Sequence, residues 1–273
     1  MPSIIEQLHE TIHFITNQYS AKPLVGIVLG SGLGNFTNDM KVDKEISYNE
    51  IPHFPVSTVE GHSGKLIFGE MGGKQVVAMA GRFHFYEGYT PQQVSYPIRV
   101  MKMLGVETLL ISNAAGGTSN SFQVGDLMII RDHISFFANN PLIGKNEIEL
   151  GPRFPDMSEP YNKALIAKAK TIAERLQIKL HTGVYMGVTG PTFETRSEYK
   201  LIKLLGGDAV GMSTVQEVIT AVHMGMKVFA MSLITDIGIR EEDNIITHEE
   251  VLEAARGAEP KLTSIFTTLV AEL

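Results

Sequence analysis

The sequence predicts an α/β fold: a single domain over residues 1–273 with a central mixed β-sheet flanked by helices. Short apolar runs of strand length alternate with segments of helical periodicity from one end of the chain to the other, which is typical of this class. Two apolar runs around a Gly-Gly pair indicate a hairpin, so the sheet is expected to be mixed rather than purely parallel. No Pro/Ser-rich linker divides the chain.

The first half of the chain contains clear helix and strand signals. Residues 4–18 carry apolar side chains at helical spacing, and Thr90-Pro91-Gln92-Gln93 combines a cap, a proline at the first helical position and a glutamine three residues after the cap. The predicted strands and turns are residues 25–29 with the glycine-rich turn 30–34, the hairpin strands 66–68 and 75–80, and the strand 108–112 with the small-residue turn 113–117.

In the second half, capping-box patterns mark three helix starts, at residues 195–198, 213–216 and 247–250. Each has Ser or Thr followed three residues later by Glu or Gln. The other elements predicted here are strands at 127–130, 184–188 and 227–234, a helix near 161–176, and a loop at 190–194.

The composition excludes several classes of function. A net charge of −7 argues against the broad basic surface of a general nucleic-acid or membrane-surface binder, although a small anionic ligand needs only a few local cations. The absence of cysteine excludes disulfides, thiolate catalysis and cysteine metal ligands. Neither a signal-peptide pattern nor a membrane-spanning apolar run is present, so we expect a cytoplasmic protein.

The densest group of reactive side chains follows the strand predicted over residues 75–80. Between Gly81 and Gly88 the chain places Arg82 and His84. A guanidinium offers planar bidentate donors and an imidazole adds a tunable one, a combination that suits an oxyanion such as phosphate. In an acidic chain, this local cationic group predicts a phosphate site.

Two other segments offer donors after strands. The turn 30–34 carries Ser31 between glycines, but Asn35 breaks the dinucleotide-binding pattern and the phosphate-binding lysine motif is absent. The backbone at Ala114 has only small neighbours, so an anion or a flat ring could approach it. Residues 30–34 also fit a tight turn that merely needs glycine, which is the commoner case, and residues 113–117 fit close packing of strand against helix equally well.

Ser213 and His62 are further candidates on single signals. Ser213 is predicted to be a helix N-cap, where its hydroxyl and the free N–H groups of the first turn form an anion site, although most caps serve only their own helix. His62 lies in a loop between Gly61 and Gly64, where a histidine is usually just solvated.

A base-binding role is suggested by two acidic positions. Phe193-Glu194 joins a stacking surface to an acceptor, which suits a heterocycle with N–H groups, although the same sequence fits a solvated glutamate. Asp236 ends a predicted strand and supplies a second carboxylate. Because open α/β sheets bind ligands at strand carboxyl ends, all these groups are expected to converge on one site. No nucleophile elbow or metal-ligand spacing is present, so we expect neither acyl-enzyme chemistry nor a metal.

Taken together, these segments resemble the trimeric, low-molecular-mass class of purine nucleoside phosphorylases. The resemblance spans most of the chain and keeps the order of the family's motifs. The matching segments are residues 30–34, 61–64, 81–89, 113–117, 190–195, 211–214 and 248–251.

The resemblance implies a phosphorylase/hydrolase-like α/β fold and a cytoplasmic homotrimer in purine salvage, with no metal or other cofactor. The implied reaction is reversible phosphorolysis of inosine, guanosine and their deoxy forms to purine base and (deoxy)ribose 1-phosphate, with inorganic phosphate as co-substrate. The implied phosphate ligands are Ser31, His62, Arg82, His84, Ala114 and Ser213. The implied sugar and base ligands are Tyr86, Phe193, Glu194, Met212, Asp236, His248 and Phe154, the last lent to a neighbouring subunit's site. The implied catalytic groups are His84, Glu194 and Asp236.

One position departs from the family pattern. Members specific for 6-oxopurines usually carry asparagine where this chain has Asp236, and an ionised aspartate can only accept hydrogen bonds. Either Asp236 is protonated, or it accepts from a protonated N7, or adenosine is also a substrate. Methylthioadenosine phosphorylases carry aspartate there, but they lack the counterpart of Glu194 and have an apolar 5′ pocket, whereas this chain has His248. A nucleoside hydrolase and a non-catalytic purine-binding protein on the same fold are the remaining alternatives.

Overall fold

A nine-stranded mixed sheet runs through the computed structural model, which describes residues 2–30, 34–56, 64–135, 139–239 and 247–273. The strands are β1 (Val25–Val28), β2 (Lys41–Ser47), β3 (Lys65–Met71), β4 (Lys74–Ala80), β5 (Thr108–Gly117), β6 (Leu127–Ile134), β7 (Leu180–Gly187), β8 (Ala209–Gly211) and β9 (Lys227–Ile237). They pair in the order β2-β3-β4-β1-β5-β8-β7-β6-β9, and β5 also pairs with β9. The predicted mixed α/β sheet is confirmed.

Of the four helices for which the sequence predicts a cap, three begin where it places them, and the exception is treated below. They are α1 (Ile4–Gln18), α2 (Pro91–Leu104), α3 (Lys163–Arg175), α4 (Arg196–Leu204), α5 (Val215–His223) and α6 (His248–Ala271). The capping boxes of α2, α4 and α6 form as predicted, with the side chains of Thr90, Thr195 and Thr247 accepting from the backbone three residues later. None of the described helices is both long enough and apolar enough to cross a membrane.

The helices cover both faces of the sheet. Leu109 and Ile111 of β5 pack with residues of α1, α2 and α5, whereas Leu110 between them packs with residues of α3 and α6. This alternation follows from the two-residue period of a strand, which sends neighbouring side chains to opposite faces. Burying each such side chain stabilises the fold by roughly 1.5–3 kcal/mol.

Strand direction determines where ligand groups gather. β1 is parallel to both β4 and β5, and β5 is parallel to β9. The strands β5, β8, β7, β6 and β9 pair in a closed ring. The segments that follow β4 and end β5 and β9 therefore meet at one edge of the sheet.

The structure corrects several predicted boundaries. β5 continues through Gly117, although residues 113–117 were expected to form a turn, because this segment keeps pairing with β9 and then with β8. β6 likewise extends to Ile134. β2 and β8 were not predicted, since most side chains of β2 are exposed at the sheet edge and β8 has only three residues.

Candidate active site

A cavity of about 290 Å³ opens at the edge where β4, β5 and β9 end. The following predicted ligand residues line it: Arg82, His84, Tyr86, Ala114, Phe193, Glu194, Met212, Ser213, Asp236 and His248. Ser31 and His62 fall outside the described residues. Groups predicted separately from six segments of the sequence are thus brought to one place, as the rule of strand carboxyl ends anticipates.

Arg82 lies at the back of this cavity in a buried ion pair with Glu217 of α5. Its Nε donates to Glu217 Oε1 over 3.0 Å and its Nη2 to Oε2 over 2.8 Å, a bidentate arrangement. The side chains are 1% and 2% exposed. Nη1 donates to the Ser112 carbonyl and to Ser213 Oγ, over 2.8 and 3.0 Å. The guanidinium is therefore held in one orientation by groups of the protein.

Ser213 is not the N-cap of α5, so that prediction is wrong. The cap is Thr214, at φ 74° and ψ −50°, and its side chain makes no capping hydrogen bond. Its hydroxyl accepts instead from Asn113 Nδ2 over 2.8 Å and lies 3.1 Å from Ser213 Oγ. A positive φ is unusual for a β-branched residue, and such strain persists only where the surroundings enforce it. The strained turn directs the Ser213 hydroxyl towards Arg82.

His84 is fixed by two neighbours beside the cavity. Its ring stacks on Tyr86 at 4.7 Å between centroids and 16° between planes. Its Nδ1 lies 3.1 Å from Glu87 Oε1, which also accepts from the His84 backbone N–H. Burial lowers the pKa of His84, so the neutral imidazole is favoured. With Nδ1–H donating to the carboxylate, the neutral ring presents Nε2 as an acceptor.

Two carboxyl groups and a tyrosine form a second cluster on the cavity wall. Tyr199 OH donates to Asp236 Oδ2 over 2.9 Å, and Thr235 Oγ1 donates to Asp236 Oδ1 over 3.1 Å. Burial raises the pKa of Glu194, and the nearby Asp236 carboxylate raises it further, while hydrogen bonding to Tyr199 acts in the opposite direction. Burial, together with the two carboxylates, also raises the pKa of Tyr199 well above its ordinary value.

The remaining predicted ligands surround these two clusters. Phe193 is 41% exposed, and His248 is exposed as the first residue of α6. Met212 lies against Gly190, whose φ of 62° and missing side chain give it room. Burial raises the pKa of Tyr86 to about 12, so its hydroxyl stays protonated at neutral pH.

Phe154 lies apart from the other predicted ligands. It lines a second cavity of about 410 Å³ with Arg153 and Ile143, and its side chain is 88% exposed. The Arg153 guanidinium lies 5.7 Å from the ring centroid. The expectation that Phe154 serves a neighbouring subunit is not tested by a single chain, and it stays a prediction.

Sequence reasoning missed Glu217 and Tyr199. Glu217 could have been noticed as the one acidic residue of α5, a helix in which five of nine residues are Val, Ile or Ala. Tyr199 gives no such signal, because a tyrosine within a helix usually belongs to the core. In the described part of the chain, no group of three or more histidines and carboxylates is placed to hold a metal ion.

Comparison with known proteins agrees with the resemblance found in the sequence. Residues 24–271 match the family model of the phosphorylase superfamily. The chain is 46% identical to purine nucleoside phosphorylase 1 of Bacillus subtilis, covering 98% of each protein. It is similar to two crystal structures of Schistosoma mansoni purine nucleoside phosphorylase, both 42% identical with a TM-score of 0.94. The complex with adenosine is matched over 98% of both chains, and the complex with inosine over 98% of this chain and 97% of the other.

Proposed function

The chain belongs to the purine nucleoside phosphorylases of the phosphorylase superfamily, and we propose that it catalyses the phosphorolysis of purine nucleosides. Inosine, guanosine and their deoxy forms react with inorganic phosphate to give the purine base and (deoxy)ribose 1-phosphate. Residues 1–273 act as one catalytic domain. The observation that carries this proposal is that phosphate donors and base-binding carboxyl groups line a single cavity.

Phosphate binds at the cluster around Ser213. Arg82 Nη1 donates to Ser213 Oγ, and when Thr214 Oγ1 donates to it as well, the serine proton can be directed at a phosphate oxygen. Because the Arg82 charge is paired with Glu217, Arg82 acts mainly through this hydroxyl, while the Ala114 backbone N–H and His84 bind the anion directly. Ser31 and His62 complete this set. With its acceptor Nε2, neutral His84 selects phosphate that carries a proton.

The reaction needs no nucleophile from the protein. A phosphate oxygen attacks the anomeric carbon as the bond from that carbon to purine N9 breaks, and positive charge builds on the sugar while negative charge builds on the base. Bound phosphate stabilises the sugar, and a proton held by the carboxyl cluster stabilises the departing purine. Glu194 accepts from the N1–H of a 6-oxopurine, Phe193 stacks on the ring, and Tyr86, Met212 and His248 contact the sugar.

The finer parts of the proposal concern assembly and location. We expect a cytoplasmic homotrimer in which the exposed Phe154 enters the site of a neighbouring subunit. An aromatic side chain that is 88% exposed beside a cavity is well placed for such a contact. Phosphate is the co-substrate, and neither a metal nor another cofactor takes part.

The deciding experiment measures hypoxanthine release from inosine by the purified protein, with and without inorganic phosphate. Release that requires phosphate and yields ribose 1-phosphate supports phosphorolysis. Equal release without phosphate would identify a hydrolase instead. Release of adenine from methylthioadenosine, with none from inosine, would favour methylthioadenosine phosphorylase, and binding of purines without any release would favour a binding protein.

A second substrate class is favoured by one observation. The bond from Tyr199 to Asp236 stabilises the ionised carboxylate, which can accept a hydrogen bond from the 6-amino group of adenosine. Adenosine is therefore the first nucleoside to compare with inosine.

A further inference from the structure

Tyr199 fits into space left by two glycines, Gly116 and Gly238. A Cβ atom at Gly116 would lie 2.6 Å from the Tyr199 hydroxyl oxygen and 2.9 Å from Asp236 Oδ2, and a Cβ atom at Gly238 would overlap with the tyrosine ring. Tyr199 is 2% exposed, yet it lines the cavity, and its hydroxyl donates to Asp236 of the same lining. Two glycines thus allow a phenol to contact the carboxyl groups of the base site.

The carboxyl groups of Glu194 and Asp236 compete for the same proton. Glu194 and Asp236 line the same cavity, and two nearby carboxylates disfavour being ionised together. The phenol has one hydrogen, so it donates fully to only one carboxylate at a time. In the structure it donates to Asp236, which leaves Glu194 as the group that holds a proton more readily.

We propose that Tyr199 is a specificity-determining positioning residue, which settles whether Glu194 or Asp236 holds the proton that the pair shares. The inference rests on the proposed function, because it takes both carboxyl groups to contact the purine. The two positions of the proton present opposite hydrogen-bonding patterns to the base.

Each pattern suits one class of purine. With Asp236 ionised and Glu194 protonated, the site accepts from a 6-amino group and donates to an unprotonated N1, as adenine requires. With Asp236 protonated and Glu194 ionised, it donates to N7 or O6 and accepts from N1–H, as hypoxanthine requires. The total charge of Glu194 and Asp236 is the same in both protonation states, so one site can bind both classes of purine.

The test is direct binding of free adenine and hypoxanthine, measured by titration calorimetry. The wild-type protein is expected to bind both bases. Tyr199→Phe removes one of the hydroxyl donors that favour the ionised form of Asp236, so adenine affinity should fall relative to hypoxanthine by about tenfold or more. In an Asp236→Asn background, where residue 236 cannot ionise, Tyr199→Phe should leave the ratio unchanged.

Tyr96→Phe is the matched control. Tyr96 is also buried and its hydroxyl bonds to Thr11, remote from the cavity lining, so its loss should lower thermal stability without changing the ratio. Equal weakening of both bases by Tyr199→Phe would overturn the inference, as would the same shift in the Asp236→Asn background or failure of the wild type to bind either base. If the bases bind with the expected selectivity but no base is released in a phosphate-dependent reaction, the proposed phosphorolysis is rejected and the inference about Tyr199 stands.

Discussion

Replacing Arg82 with methionine tests the buried ion pair behind the phosphate cluster. The change leaves the Glu217 carboxylate, 2% exposed, without its bidentate partner. Removing one partner of a buried pair costs about 3–5 kcal/mol, because the other charge stays desolvated. For a protein of this size, each kcal/mol lowers the melting temperature by about 2–4 °C, so the expected loss is about 6–20 °C.

The assay is calorimetric unfolding of Arg82→Met, Glu217→Met and the double variant, together with the phosphate KM of each. The double variant should be more stable than either single variant, because it buries no unpaired charge. Its phosphate KM should nevertheless stay raised, since the donor to Ser213 is missing. Comparing the wild type, the two single variants and the double variant therefore distinguishes the effect of the ion pair on stability from its effect on phosphate binding.

Two results would refute this reasoning. The first is an Arg82→Met protein that unfolds within about 1 kcal/mol of the wild type, because the pair would then contribute no more than an exposed one. The second is a double variant in which the two single losses simply add.

Three further predictions concern the neighbouring groups. Burial raises the pKa of Glu194 above 4.5, so the native state binds the proton of Glu194 more tightly than the unfolded chain does, and ionisation of this group destabilises the fold. Glu194→Gln should therefore raise the melting temperature at pH 7. This gain should disappear below pH 4.5, where Glu194 is protonated in both states. Glu87→Gln should raise the phosphate KM by about tenfold with little change in melting temperature, because His84 Nδ1 loses the carboxylate that orients its ring. An unchanged KM would show that His84 does not bind phosphate. Asn113→Ala removes the donor to Thr214 and should cost about 1–2 kcal/mol in chemical denaturation while raising the phosphate KM several-fold; unchanged phosphate kinetics would show that the turn does not position Ser213.

The helix starts could be predicted because capping is local chemistry. At Thr90 and Thr195 the hydroxyl and the residue three positions later satisfy each other's backbone N–H groups, so neither prediction depends on the rest of the fold. The same pattern at Ser213 was misleading. There the hydroxyl of the next residue, Thr214, is bound by Asn113, which lies 101 positions earlier in the chain, and no local pattern reveals that contact.

The candidate site was predictable from sheet topology rather than from local chemistry. Arg82, Ala114 and Asp236 follow or end strands of one sheet, so their proximity follows from the topology. The contact of Arg82 with Glu217 joins residues 135 positions apart and depends on how α5 packs. The extent of β5 also escaped prediction, since small residues suit both a turn and a strand that must let another side chain approach.

The space around Tyr199 has a consequence for how substrate preference can change during divergence. A chain with a side chain at position 238 cannot accommodate a tyrosine ring at 199, so an aspartate at 236 would lack its phenolic partner there. The same single substitution at 236 would then have different effects in two related backgrounds. Purine preference then depends on a set of positions, including two glycines whose missing side chains make room for Tyr199, and transferring it to a relative requires changing the whole set.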